Sequence, residues 1–475
     1  MKTFNKILLL LALFSGIVIG CGEEPLPVVE PGEDEAPALT QKVNLFIEEV
    51  MEDIYLWYDE LPEIDTKFEF DSKEYFEKLL FVEDKWSFVT DDVEALENSF
   101  EGIEKSYGWS LAFGRFSNTD NIFAIVEFVY PETPAAEAGI VRGDILVEIS
   151  GNDITDETYL DLLNGENLTV SLGILGDGGI SVGSSVTMAA RELHLDPVLL
   201  TKVIEHGGRK IGYLFYAQYI STYNTSLDTA IQFLMDEQVS DLVLDLRYNP
   251  GGGTVAAQHL CSSIAPTDAV NGEVTLVSFQ WNDKYQTHWQ ENNVSQQLKI
   301  LFNENVPHKM GLSSLHVLTG TGTASASELT ITGLKPYMAV TTVGETTYGK
   351  YTASITLKPN EWYENKLYYE EFRNWGVQPI VLRYANSLGV TDFRDGFLPD
   401  IQVDDELFGA LPLGNKEEPL LKAALEDITG EEVLAIAHKS VKRVPDYKLF
   451  DRGFSKFDVN KREVLLDHSD IKFIK

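Results

Sequence analysis

The chain has 475 residues, 44% hydrophobic and 11% aromatic, which is enough for two or three domains with cores of their own and excludes a wholly disordered chain. Its 75 acidic residues against 37 basic ones give a net charge of −38. That balance excludes nucleic acid as a partner, because a phosphate backbone needs a basic footprint.

The N-terminus reads "MKTFNKILLLLALFSGIVIGC", with Lys2 and Lys6 ahead of an apolar run of about 13 residues. The run is short for a spanning helix and has a basic front, as a secretory signal does. Its end, "VIGC", resembles a bacterial lipobox. The resemblance implies a lipoprotein signal over residues 1–21, lipid on Cys21, export to a bacterial cell envelope, and membrane attachment through that lipid. A plain signal peptide with an incidental cysteine is the alternative. Cys261 is the only other cysteine, so a buried, inert thiol is expected and a disulfide is not. Residues 22–39 are acidic and proline-rich and read as a tether.

From residue 40 to 103 the apolar spacing is helical. Val43, Phe46, Ile47, Val50, Ile54, Leu56 and Trp57 keep that spacing, and two more helices are expected near 71–82 and 91–102. Between 104 and 191 short strand patterns take over: "WSLAFGRF", "IFAIVEFVY", "DILVEISG" and "SSVTMAA". The run "PAAEAG" leading into "GDILVEISGNDI" resembles a PDZ domain. That resemblance implies capture of a peptide as an added strand, its terminal carboxylate held on the loop Gly108, Trp109, Ser110 and Leu111. Ser110 stands where the family carries a second glycine, and a β-domain used only for packing is the alternative.

Residues 192–405 read as an α/β unit. "KIGYLFY" and "DLVLDLRYN" are strands around the amphipathic "SLDTAIQFLMDEQ", which predicts a parallel crossover. "SLHVLTG" and "AVTTVGE" bracket the helical "SASELTITGLKPY" in the same way. Over 406–475 only the helix "PLLKAALEDITG" is legible, followed by a weakly patterned tail.

Three features of the α/β unit carry chemistry. In "DLRYNPGGGTVAAQHL" a strand ends, glycines turn the backbone with uncovered N–H groups, and a helix starts. Such a turn suits an oxyanion hole, a phosphate or a plain structural role, and no nucleotide-loop pattern is present. In "GTASASELTITG", Ser325 and Glu328 fit a capping box. The same position at a strand-to-helix turn, facing solvent at a helix N-terminus, also suits a nucleophile. Lys350, in "GETTYGKYTAS", is by itself a solvated charge. To serve as a base it must lose its proton near pH 7, from a reference pKa of about 10.4, which burial can bring about. His259 reads as a packed or surface residue, Asp245 as an inward carboxylate fixing Arg247, and the acidic "GEDE" and "VDDE" as solvated surface.

Together, "DLRYNPGG", "TASASE", "VGETTYGK" and "GFLPDIQV" resemble the C-terminal processing peptidases, the tail-specific serine proteases of family S41, over roughly residues 40–405. The resemblance implies a multidomain α+β protein with a helical N-terminal domain, a PDZ-like β-domain and a crotonase- or ClpP-like α/β catalytic domain. It implies a serine endopeptidase with Ser325 as nucleophile, Lys350 as general base, and oxyanion donors from Ala326 and from Gly251 or Gly252. Its substrates would be polypeptides with accessible C-termini, with no cofactor and no metal. Many members carry a glutamine four residues after the lysine, and here Ser354 stands there as a candidate to orient Lys350. The other reading is a peptide-binding lipoprotein on the same fold whose dyad is not aligned.

Overall fold

The computed structural model describes residues 32, 34–116, 122–155, 157–176, 179–434, 447–454 and 464–466. Cys21, the signal and most of the tether lie outside them. Among the described residues no helix is long and apolar enough to cross a membrane.

Three helices open the chain: α1 (Ala38–Ile54), α2 (Ser72–Leu79) and α3 (Val93–Phe100). Asp71 and Asp92 start the second and third by accepting hydrogen bonds from first-turn amides, which satisfies donors a helix start leaves open. The stripe on α1 read from the sequence is buried, Phe46, Ile47, Val50 and Ile54 completely. These helices do not close a core alone. α1 and α2 share one hydrophobic cluster with the α/β unit, including Leu276, Ile331 and Leu382.

The β-domain contains β1 (Trp109–Phe116), β2 (Ile122–Val129), β3 (Ile145–Ile149), β4 (Asn167–Gly176) and β5 (Gly179–Ala189). They pair antiparallel in that order, and the short helix Pro134–Glu137 sits where "PAAEAG" placed it. The domain has its own core, with Trp109, Leu111 and Phe113 pointing into it.

In the α/β unit the chain runs through β6 (Val198–His206), β7 (Arg209–Tyr216), α4 (Asn224–Asp236) and β8 (Asp241–Asp245). It continues through β9 (Gly252–Gly253), α5 (Thr254–Ile264), β10 (Thr275–Trp281) and β11 (Lys299–Leu301). Then come β12 (Ser314–Thr319), α6 (Ala326–Leu334), β13 (Ala339–Gly344), β14 (Thr352–Ser354), β15 (Ile380–Asn386), β16 (Ile401–Gln402) and α7 (Pro419–Thr429). One sheet has the order β6-β7-β8-β12-β13-β16, parallel from β7 onward. The crossovers through α4 and α6 are those the alternating patterns predict. α4, α5 and α6 contribute to the same cluster as α1, whereas Tyr213, Val243 and Leu318 pack with α7 and with Ile125 and Phe128 of the β-domain.

A second sheet, unread in the sequence, has the order β9-β18-β14-β15-β10-β11. Its β18 (Val464–Leu465) comes from the tail, as does β17 (Tyr447–Phe454), which extends the β-domain sheet along the free edge of β1. The tail therefore contributes strands to both sheets, beyond the single helix expected after residue 406.

Candidate active site

The parallel strands deliver the candidate residues to one end of the sheet. β8 ends at Asp245, and four residues later Asn249 fixes the turn. Its Nδ2 donates to the Tyr216 carbonyl at the end of β7 at 2.8 Å, and its Oδ1 accepts from Gly251 N–H at 2.9 Å. The Asn249 carbonyl accepts from Ala324 N–H (3.1 Å) and Ser327 Oγ (3.0 Å), so the glycine turn and the serine loop are joined directly. Gly251 and Gly252 have φ of 109° and 133°, a region closed to L side chains. A Cβ on Gly252 would also lie 2.2 Å from the Tyr219 carbonyl oxygen. Gly251 N–H is engaged with Asn249, which leaves Gly252 as the other candidate donor.

Ser325 precedes α6 with φ 63° and ψ −112°, a conformation non-glycine residues avoid. Only the glutamate half of the expected capping box forms. Glu328 Oε2 accepts from Ser325 N–H at 2.9 Å, while Ser325 Oγ has no hydrogen-bond partner among the described residues. The expectation of a solvent-facing serine is corrected too, since Ser325 is fully buried. A local pattern registers the start of a helix but not what packs over it. Ala326, the first residue of α6, presents one of the amides that a helix start leaves without an intrahelical acceptor.

Lys350 is fully buried just before β14. Its N–H donates to Glu328 Oε2 at 2.9 Å, the same oxygen that receives Ser325 N–H. The two amide nitrogens therefore lie no further apart than twice 2.9 Å. Tyr384 makes a second bridge, its hydroxyl placed against the carbonyls of Ser325 (3.1 Å) and Lys350 (2.8 Å). Glu328 also accepts from Gly349 N–H and Thr347 Oγ1 through Oε1. Burial raises its carboxyl to about 7, against the pull of these four donors.

Ser354 is buried at the end of β14, where its Oγ accepts from Gln378 Nε2 at 3.3 Å. Gln378 in turn accepts from Thr356 Oγ1 at 2.6 Å. Glu328 was legible only as a cap, and nothing in the local pattern marked Tyr384 or Gln378, which lie in or beside the second sheet. In the β-domain loop, Trp109 and Leu111 are buried in the domain core, Ser110 Oγ donates to Glu127 at 2.8 Å, and Gly108 N–H donates to Ser106 Oγ at 3.3 Å.

Beneath the glycine turn lies a buried ionic cluster. Arg247 Nε donates to Asp245 Oδ1 (2.9 Å), and its terminal nitrogens donate to both Glu418 oxygens at 2.5 and 2.9 Å. Asp405 joins through Arg247, Tyr248 and Arg142. The acidic run "VDDE" is thus not all solvated surface, because Asp405 is buried between two guanidinium groups. Asp245 does hold Arg247, as read. His259 pairs with Asp228 at 2.8 Å, on α5. Cys261 is buried, its thiol pushed up to about 12 by desolvation.

Comparison with known proteins gives the same domain sequence. The Peptidase S41 N-terminal domain matches residues 42–88, a PDZ domain matches 125–172, and Peptidase family S41 matches 210–403. A carboxyl-terminal-processing protease of Synechocystis is 27% identical over 316 residues, covering 65% of this chain and 65% of the relative. A carboxy-terminal processing protease of Bacillus subtilis is 23% identical over 347 residues, covering 72% of this chain and 63% of the relative. The chain thus spans just under two thirds of these relatives' length. A crystal structure described as an S41 protease from Bacteroides fragilis superposes with a TM-score of 0.66 at 27% identity, over 81% of this chain and 97% of that one. From residue 42 to 403 the chain thus carries, in order, a Peptidase S41 N-terminal domain, a PDZ domain and a Peptidase family S41 domain.

Proposed function

We propose that the protein is a serine endopeptidase that hydrolyses polypeptides through Ser325 and Lys350. One observation carries this reading. A strained, fully buried serine at a helix start keeps its hydroxyl outside the hydrogen-bond network, while one carboxylate oxygen ties its backbone to that of a fully buried lysine. A serine needed only as a cap would use its hydroxyl, and nothing in packing calls for its left-handed backbone.

In this reaction the neutral form of Lys350 Nζ takes the Ser325 Oγ proton as Oγ attacks a peptide carbonyl carbon. The carbonyl oxygen becomes an oxyanion held by the N–H groups of Ala326 and Gly252, aided by the positive end of α6. Lys350 then gives the proton to the leaving amine. Water attacks the acyl ester with the lysine again as base, which releases the acid and restores Ser325. No step is assigned to Ser354 or Gln378.

The same proposal has the PDZ domain recruit substrates by their C-termini, and Cys21 anchor an exported protein to a cell-envelope membrane. The composition of residues 1–21 supports the anchor. The test is cleavage of an unfolded reporter protein by the chain lacking residues 1–21, beside Ser325→Ala and Lys350→Ala. Both variants should retain the fold and lose at least about 10³-fold in kcat. Cleavage that survives Ser325→Ala would place the nucleophile elsewhere.

A further inference from the structure

The tail of this chain runs along two edges that a polypeptide substrate would need. β17 pairs antiparallel with β1, in a register from Tyr447 opposite Phe116 to Phe454 opposite Leu111. β1 begins within the Gly108–Leu111 stretch, and β17 runs with its C-terminal end toward that stretch. This is the edge and the direction of strand addition by a captured peptide. Side chains hold the pairing in place. Tyr447 packs edge-on against Phe408 at 4.7 Å, Phe450 lies 6.2 Å from Tyr159, and a Cβ on Gly114 would come within 3.0 Å of Leu449.

Nine residues further on, the chain reaches the catalytic end of the α/β unit. β18 pairs in parallel with β9, Val464 opposite Gly252 and Leu465 opposite Gly253. On its other side Leu465 faces Ser354 of β14, and Leu466 N–H donates to the Ser354 carbonyl at 3.2 Å. β18 therefore lies between the turn that carries the candidate oxyanion donor and the strand that follows Lys350. Within the second sheet β9 meets β14 only through β18. The Leu466 side chain is buried in the cluster that also contains Leu382 and Ile355.

We propose that the tail strands 447–454 and 464–466 occupy the enzyme's own substrate path as an intramolecular competitor, and that substrates are extended polypeptides which displace these strands one for one. The inference rests on the peptidase reading for the word substrate, but its binding part does not. Both contacts are main-chain pairings, which read an extended backbone rather than one sequence. The residues crossing the catalytic end, Val464, Leu465 and Leu466, assign apolar side chains to the segment lying beside the glycine turn. A tethered strand acts at an effective concentration of roughly millimolar. A segment that binds with a Kd of about 0.1 mM is then about tenfold in excess of its free form, and removing its pairing lowers an apparent KM about tenfold.

Two full-length proteins provide the test, the parent and Leu449→Pro, each also carrying Ser325→Ala for binding work. Proline at 449 removes a donor from β17 while leaving every residue of the active site in place. A fluorescent peptide of residues 447–466 should bind Leu449→Pro/Ser325→Ala about tenfold more tightly than Ser325→Ala alone. With the serine intact, Leu449→Pro should cleave an unfolded reporter with a KM about tenfold lower and an unchanged kcat. Should the proline variant misfold, hydrogen exchange on the Ser325→Ala parent replaces it. Excess unfolded reporter should speed exchange at Leu449 and Leu466 while α7 amides stay protected. Equal peptide binding by both proteins, or tail amides indifferent to the reporter, would overturn the proposal. A protein that cleaves nothing yet shows the binding difference would sink the peptidase reading and leave the tail as the occupant of a peptide track.

Discussion

Ser325 holds a backbone conformation that costs of order 1–3 kcal/mol, and its neighbours keep it there. Its carbonyl accepts from Leu329 N–H at 2.7 Å and its N–H is held by Glu328, so the hydroxyl is what the strain leaves over. Glu328 is the residue on which the geometry of the proposed dyad turns, because it accepts from four donors: Ser325, Gly349 and Lys350 N–H and Thr347 Oγ1. Glu328→Gln should therefore be damaging although it preserves shape, since the amide turns a donor toward donors. We expect kcat to fall about 100-fold with little change in KM, the signature of displaced reacting groups. The acidity of Glu328 makes the effect separable from simple damage. Its carboxyl titrates near 7 in the folded chain against an ordinary value of 4.5, raised by burial. A raised carboxyl contributes stability that is fully present below about 4.5 and is lost as pH rises through about 7. The parent's stability relative to Glu328→Gln should thus decline across that window, by about 3 kcal/mol in total. The parent's kcat should move the other way, falling as acid protonates a carboxylate whose two oxygens each serve two donors. Denaturant melts and initial rates between pH 4.5 and 8 check both; a flat stability difference would remove Glu328 from its assigned role.

At the scale of elements, β9 is only two glycines long, and its conformation is what lets the chain pass under Tyr219. Gly252→Ala should force the turn outward, costing about 10²–10³-fold in kcat if its N–H holds the oxyanion. Gly208→Ala is the comparison: it has φ of 70° but nothing within 4 Å of an added Cβ, so it should cost about 1 kcal/mol of stability and leave kcat alone. Equal kinetic losses in both would mean backbone strain, not donor position, explains the first. The same scale shows what the sequence could reveal. β7, α4, β8, β12, α6 and β13 were legible because each carries its own period and each crossover is short. Ser325 and Lys350, the residues of the proposed dyad, could be picked out because they sit in motifs beside those elements. The second sheet was not legible, since β10 pairs with β15 across more than a hundred residues (Val277 opposite Asn386) and their nearer partners, β11 and β14, are only three residues long. Tyr384 and Gln378 were lost with it. β17, in "YKLFDRGF", mixes charge with aromatics because one edge of a borrowed strand rests on β1 while Tyr447, Lys448 and Phe450 stay exposed. Asp405 was misread for a related reason, because an acidic run looks solvated until the arginines that meet it arrive from elsewhere.

For the molecule as a whole, Arg247 ties together pieces that are far apart in sequence. Its guanidinium is fully buried and meets Asp245 from β8, Glu418 at the start of α7, and Asp405, which Arg142 of the β-domain also holds. Burial alone would raise the Glu418 carboxyl, but Arg247 more than offsets this and holds it below the usual carboxylate range. Such a cluster is weak evidence for net stability, because desolvating each ion costs several kcal/mol that the pairing only repays. Removing one member is another matter, and in a chain of net charge −38 the loss of a buried cation is the least tolerable change. Arg247→Met keeps the apolar stem and leaves three buried carboxylates with Arg142 as the remaining guanidinium in contact with the cluster. It should destabilise the fold by about 3–5 kcal/mol, read as a lower denaturant midpoint with an unchanged slope. Arg247→Lys should recover little, since a single ammonium cannot make the two-pronged contact to Glu418 while also reaching Asp245. Because Asn249 and the glycine turn follow within four residues, kcat should fall in both variants even where the fold persists. A stable, fully active Arg247→Met would mean that α7 and the β-domain are held by their apolar contacts, chiefly Leu420, Leu421 and Phe128, and that the ions merely fill the space between them.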